Sequence, residues 1–223
     1  MLNDIFHVLA SLGTVQTVVV YLLPVIFAIT VHEAAHGYAA RHFGDMTAAA
    51  EGRISLNPAR HIDPIGTILV PLMLAIFSGG RFAFGWAKPV PVNFGRLRRP
   101  KRDMLWVAAA GPGANLVMAV FWALVIKLAV MFPDPTALPI ALMGAAGIRI
   151  NVMLMVLNLV PLPPLDGGRI AVSLLPHPWS YRFSKVEPYG FFILLALLFT
   201  NILGSILQPS IMAVFQLISW IFF

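Results

Sequence analysis

The stretch Val18–Ala40 reads VVVYLLPVIFAITVHEAAHGYAA, and it decides how the whole chain is read. From Val18 to Val31 nearly every side chain is apolar, as a membrane-crossing helix requires. His32-Glu33-Ala34-Ala35-His36 follows without a break. Histidines at i and i+4 lie on one helix face, a turn apart, so both imidazoles reach a single metal ion. Glu33 directly follows the first histidine, where zinc proteases carry their general base. A charged group at mid-bilayer costs about 2.5–3.5 kcal/mol on insertion scales, so an ionisable cluster at that depth points to function.

Composition supports a membrane setting. The 223 residues are 59% hydrophobic and 11% charged, with mean hydropathy +0.86, against about 45–50% and 25% in soluble domains. With no cysteine, disulfides and thiolate ligands are excluded, and a metal must be held by His and carboxylates. The N-terminal Met1-Leu2-Asn3-Asp4 lacks a basic n-region, so no cleavable signal peptide is expected. The net charge of +6 is concentrated in Lys88, Arg96, Arg98, Arg99, Lys101 and Arg102. Basic residues beside apolar spans are topology signals, so this run is expected in the cytoplasm and no nucleic-acid partner is expected. Without linkers or repeats, residues 1–223 read as a single integral membrane domain.

The expected fold is an all-α polytopic bundle of about five to six transmembrane segments. Residues 1–14 read as a short interfacial helix. Val15–Phe43 is a first span whose histidines lie in its cytoplasmic half. Pro64–Phe77 is apolar but covers only ~21 Å as a helix, too short for an easy crossing of a ~30 Å core. The following Arg81–Asn93 carries Gly85, Pro89 and Pro91, which break helices, among residues suited to extended chain. These two pieces form a re-entrant helix and extended strand that returns to the cytoplasm and lines the site. The N–H groups of Trp86, Lys88, Val90 and Val92 are expected to stay free on one strand edge for an added substrate strand. Asp103–Phe132 and Leu138–Val160 are further spans, Leu175–Pro188 is a cytoplasmic loop, and Tyr189–Phe223 is one helix or a hairpin broken near Asn201–Gly204 or Pro209.

Catalytic zinc takes three protein ligands and leaves a position for water. Among the later acids, Asp103 suits a helix start and Asp134 a proline turn. Asp166 follows a proline-rich unwound stretch, and Gly167-Gly168 let the backbone approach another element closely. Its plain alternative role is helix capping. His42 and His61 read as surface residues. Lys127 can snorkel out of its span, whereas Arg149 lies deeper and has no evident partner.

Three motifs now stand in order: HEAAH (32–36), GPGAN (111–115) and NLVPLPPLDGG (158–168). With them the chain resembles the site-2 protease family of intramembrane zinc metalloproteases, whose signatures are HExxH, G-P-x-x-N and N-x-x-P-x-P-x-x-D-G. GWAKPVPVN (85–93) is similar to a segment of its short members. The resemblance covers about residues 20–175. It implies His32, His36 and Asp166 as ligands to one zinc ion and Glu33 as the catalytic acid/base. It implies Asn158 as a contact to substrate or tetrahedral intermediate, and Asn115 as a packing or substrate-contacting residue. Neither a PDZ-like insert nor a nucleotide-sensing domain is found. The implied protein is a multi-pass cell-membrane endopeptidase with its site toward the cytoplasm. It hydrolyses peptide bonds within or near transmembrane segments of protein substrates. The alternatives are an inactive relative that binds membrane proteins, and a metal transporter. The intact Glu33 speaks against the first, and the lack of repeated halves against the second. Nothing in the sequence sets the oligomeric state.

Overall fold

The computed structural model describes residues 2–77, 85–129, 131–133 and 135–223. The helices in chain order are α1 (Leu2–Ala10), α2 (Thr14–His42), α3 (Thr47–Ala50), α4 (Val70–Phe77), α5 (Pro100–Ala129), α6 (Ala137–Asn158), α7 (Asp166–Leu174), α8 (His177–Ser184), α9 (Glu187–Phe199) and α10 (Ile202–Phe222). A wide π-turn, Pro64–Leu69, leads into α4. No strand occurs among the described residues. Four helices, α2, α5, α6 and α10, are long and apolar enough to cross a membrane. The other apolar segments, Pro64–Phe77 and the 13-residue α9, fall short of the ~20 residues a straightforward crossing takes.

The bundle is built on α5 and α6, with α2 packed against both. Their shared core holds Trp122, Ile126, Ile148 and Val152, and small residues such as Ala119, Ala123, Ala145 and Ala146 let the helices approach. Small residues serve this purpose because lipid tails are as apolar as leucine, so close packing drives association. The outward faces are apolar too: Val15, Val18, Leu22, Val117, Leu128 and Trp220 are exposed. In water that belt would be an association surface; on a spanning bundle it meets lipid.

α1, expected as a short interfacial helix, packs on the bundle. Leu2 and Leu9 are buried against α6, and Phe6 stacks on Phe215 of α10 with centroids 5.3 Å apart. Leu2, Ile5, Phe6 and Leu9 fall at helical spacing on one face, which gives α1 an apolar stripe to bury. The last apolar stretch breaks at Thr200–Asn201, where Asn201 adopts a left-handed φ of 59°. Asparagine tolerates that conformation better than most residues. Pro209 stays inside α10.

The short excursion between α3 and α5 begins and ends at the same place. Trp86 N–H donates to the Gly66 carbonyl (3.0 Å), Lys88 N–H to the His61 carbonyl (2.9 Å), and the Thr67 hydroxyl to the Trp86 carbonyl (2.8 Å). A chain that leaves at 61–67 and is tied back at 86–88 returns to the face it left, as a re-entrant element does. The residues expected as strand at 81–84 lie outside the described residues, and 85–93 is irregular backbone without a ladder. Asp134 is likewise outside the described residues. Asp103 begins α5 as expected, accepting the Arg99 N–H at 2.7 Å.

Candidate metal centre

His32 and His36 project from α2 toward α5 and α7. His36 Nδ1 lies 2.7 Å from the Val107 carbonyl, which accepts only, so Nδ1 carries the proton and Nε2 presents a lone pair. His32 Nδ1 lies 2.6 Å from Asn115 Oδ1. The orientation of that amide is fixed by a chain of bonds ending on backbone. Asn151 Nδ2 donates to the Gly147 carbonyl (2.9 Å), so Asn151 Oδ1 receives Asn115 Nδ2 (2.9 Å), which also reaches the Ala28 carbonyl (3.3 Å). Asn115 Oδ1 is therefore an acceptor, and His32 also turns a bare Nε2 inward.

The two Nε2 atoms are 3.1 Å apart, and each is 3.3 Å from Asp166 Oδ2. With both histidine protons committed elsewhere, three acceptor atoms face one another without a hydrogen between them. That Asp166 oxygen is buried and accepts no hydrogen bond. Such a cluster is repulsive unless a cation draws the lone pairs together. A tetrahedral ion with arms of about 2.0–2.1 Å has edges of about 3.3–3.4 Å, close to the spacings here, and two imidazoles with one carboxylate suit zinc. Among the described residues this is the one group of three such side chains within reach of a common ion.

The surrounding backbone is shaped to admit the cluster. A Cβ on Gly111 would stand 2.4 Å from His36 Nε2 and 2.6 Å from His32 Nε2, so α5 passes against the imidazoles only with glycine there. Pro112 follows; its missing N–H and ring loosen the helix at that level. Asp166 opens α7, and a Cβ on Gly167 would stand 2.3 Å from the Leu159 carbonyl oxygen. The glycine after the aspartate thus lets α7 fold back on the end of α6, as its sequence suggested.

Glu33 stands beside the cluster, and its Oε2 accepts the Val90 N–H at 2.8 Å. This corrects the expectation of free N–H groups at Trp86, Lys88 and Val90. The N–H groups of Trp86, Lys88 and Val90 are all used within the chain. Arg53 Nη2 also holds the carbonyls of Lys88 and Pro89, at 2.9 and 3.2 Å. The segment is held in place by the chain itself, and its edge at 86, 88 and 90 has no donor left for a substrate strand. His61 is corrected too: at 2% exposure it is a buried strut, its Nε2 2.8 Å from the Ser55 carbonyl, and not a surface residue.

Asn158 ends α6 and lines the same cavity as His32, Glu33, His36 and Asp166; its Nδ2 donates to the Leu154 carbonyl at 3.0 Å. The cavity measures about 1720 Å³ and runs from the metal cluster along α6, α9 and α10, with a mostly apolar wall. Sequence reasoning gave Asn115 only a packing or substrate role and passed over Asn151 and the Val90 N–H. Two asparagines inside apolar spans were the available signal, since an amide there needs a partner. No sequence signal marks a backbone N–H.

Comparison with known proteins agrees with this chemistry. Residues 135–200 match the family described as peptidase family M50. YwhC of Bacillus subtilis, named as a zinc metalloprotease, is 38% identical over 86% of this chain and 85% of its own. Rip2 of Mycolicibacterium smegmatis, named likewise, is 30% identical over 88% of this chain and 70% of its own. Rip2 of Mycobacterium tuberculosis is 32% identical over 67% of this chain and 54% of its own. No solved structure matches. The chain belongs to peptidase family M50, the site-2-type zinc metalloproteases.

Proposed function

We propose that this protease cuts peptide bonds within or near the membrane-embedded segments of other proteins. The observation that carries the reading is position. The histidine pair sits within the spanning helix α2, and the cluster opens onto a large cavity walled by apolar side chains. A soluble peptide has no reason to enter such a wall; a transmembrane segment does. Residues 1–223 act as one membrane domain in a multi-pass protein of the cell membrane. The six basic residues at Lys88–Arg102 orient it with the cluster toward the cytoplasm.

His32, His36 and Asp166 hold the zinc ion. Bound there, the ion would supply Lewis acidity toward water and a carbonyl oxygen. Glu33 takes the proton from the attacking water and delivers it to the leaving amine. The Val90 N–H holds that carboxylate in one position while it does so. Asn158, whose Nδ2 has a second hydrogen beyond the one given to Leu154, donates to the developing negative oxygen. The substrate helix unwinds locally, because its carbonyls are otherwise engaged in intrahelical bonds.

The test is cleavage in vesicles of a synthetic transmembrane peptide. A cut inside the membrane segment, stopped by a chelator and restored by zinc, is expected. Hydrolysis confined to water-soluble peptides would overturn the reading. Loss of zinc in His32→Ala, His36→Ala and Asp166→Ala tests the ligand set; full zinc occupancy in Asp166→Ala would remove that residue from it. A Gly95→Cys probe in this cysteine-free chain is expected to label from the cytoplasmic side only. Labelling from outside would reverse the orientation.

A further inference from the structure

Arg149 lies near the middle of the 22-residue helix α6, and its side chain is exposed to the same cavity that holds the metal cluster. A guanidinium at the centre of a span costs about 2.5–3.5 kcal/mol on insertion scales, so it is kept there only where something compensates. The side chain interacts with the Tyr21 hydroxyl, a neutral group. Among the described residues no carboxylate forms an ion pair with it. Apart from the metal cluster, Glu33, Asn158 and Arg169, the other polar aliphatic side chains lining the cavity, Asn3, Thr67, Gln208, Gln216 and Ser219, are neutral, and much of the rest is leucine, isoleucine, methionine and phenylalanine. Arg149 therefore brings to the cavity a positive charge and five N–H donors, with no paired carboxylate among the described residues.

We propose that Arg149 is a specificity subsite for a carboxylate side chain in the membrane segment of the substrate. The inference rests on the reading of the cavity as the place where a transmembrane segment is cut. Depth favours this occupant over a lipid phosphate. Arg149 is the thirteenth residue of α6, so both ends of the helix, and the headgroups with them, are more than ~10 Å away. An aspartate or glutamate within a substrate helix is itself costly in lipid, and pairing with Arg149 relieves both groups at once. The distance sets a register. Arg149 is nine residues before Asn158 on α6, and Tyr21 is eleven before His32 on α2, or about 13–16 Å along the helices. That spacing is about four to five residues of extended substrate at ~3.3 Å each, or nine to eleven of helical substrate.

The experiment places a single aspartate, or in its stead asparagine, at each position of an otherwise neutral transmembrane peptide and measures kcat/KM in vesicles. Wild type is expected to prefer aspartate over asparagine by about tenfold or more at a narrow window of positions, the effect of one buried charged hydrogen bond. In Arg149→Gln the ratio is expected to fall to about one, and in Arg149→Glu the window is expected to favour lysine. Zinc content reports folding of the variants, and the wild-type scan stands without them. Cleavage of the neutral peptide with no aspartate preference at any position overturns this inference alone. So does a preference that survives Arg149→Gln. Failure of zinc-loaded protein to cut any membrane segment overturns this inference and the proposed function together.

Discussion

The two ends of the large cavity are built on opposite rules. At the metal end, each polar atom that aims the cluster is tied to another. His36 is held by Val107, His32 by Asn115, Asn115 by Asn151 and Ala28, and Glu33 by Val90. Those bonds leave two imidazole lone pairs pointing at one place, beside the Asp166 carboxylate. Farther along the cavity Arg149 offers a charge that meets the Tyr21 hydroxyl and, among the described residues, no carboxylate. A preorganised centre spends its hydrogen bonds on geometry before the substrate comes. A recognition end keeps donors unspent for the substrate to satisfy. Substitutions at the metal end should therefore damage catalysis on every substrate, and those near Arg149 should change which substrate is preferred.

The largest effect is expected from Glu33→Gln. Glutamine keeps an oxygen for the Val90 N–H, so the local geometry and the zinc content should persist, while the proton carrier is lost. A fall in kcat of about 10²–10⁴ is expected, the usual range for general acid–base catalysis. Cleavage within threefold of wild type would take Glu33 out of the reaction and erase the contrast between the two ends.

Next comes Asn115→Leu, which removes the acceptor for His32 Nδ1 and leaves Asn151 Oδ1 without its donor. Zinc affinity should weaken about 10–100-fold, as for other partners of metal-binding histidines. Titration with a competing chelator measures it. Activity should recover at saturating zinc, which separates an orienting residue from a ligand. Unchanged affinity would mean that packing alone aims His32.

Val90→Pro should have a smaller effect. It removes the one N–H that holds Glu33, a hydrogen bond to a charged group worth about 1.5–3 kcal/mol, so kcat should drop about tenfold or somewhat more. Val90→Ala keeps the N–H and should stay within about threefold of wild type, because only side-chain packing changes. If the two variants fall equally, the side chain and not the N–H positions the carboxylate.

What the sequence made readable follows from periodicity and spacing. HEAAH points to two candidate ligands because i and i+4 share a helix face. The four long helices follow from apolar runs of span length. Asp166 stood out through its unwound, glycine-flanked setting, and the fold brings it within 3.3 Å of both imidazoles. The free strand edge failed because a sequence displays side chains, while the groups that matter at Trp86, Lys88 and Val90 are backbone N–H groups claimed by Gly66, His61 and Glu33. His61 read as a surface residue because its burial depends on residues 86–88 returning beside it. The break near Asn201 stayed one of three choices, beside an unbroken helix and a break near Pro209, because a proline signals a break as strongly as Asn201–Gly204 does.

The smallest expected effect lies behind the metal end, at Asp45. This buried carboxylate accepts the Thr47 hydroxyl (2.5 Å) and N–H (3.0 Å) through Oδ1, and the Asn93 N–H (2.7 Å) through Oδ2. It thereby fastens the far end of the segment that carries Val90. Burial alone would raise its pKa. The Thr47 hydroxyl, the two backbone N–H groups and the Arg96 charge outweigh burial and hold it below the ordinary carboxylate range. A group depressed on folding stabilises the folded state above its unfolded pKa, about 3.9, and loses that contribution as pH falls through the lower folded value. Thermal unfolding in detergent should therefore show wild type ahead of Asp45→Asn at neutral pH, with the gap narrowing below about pH 4. Subtracting the two curves removes every contribution that the two proteins share. A gap that stays constant from pH 7 to pH 3 would mean that Asp45 acts through shape alone. The fastening of Val90, and through it of Glu33, would then owe nothing to its charge.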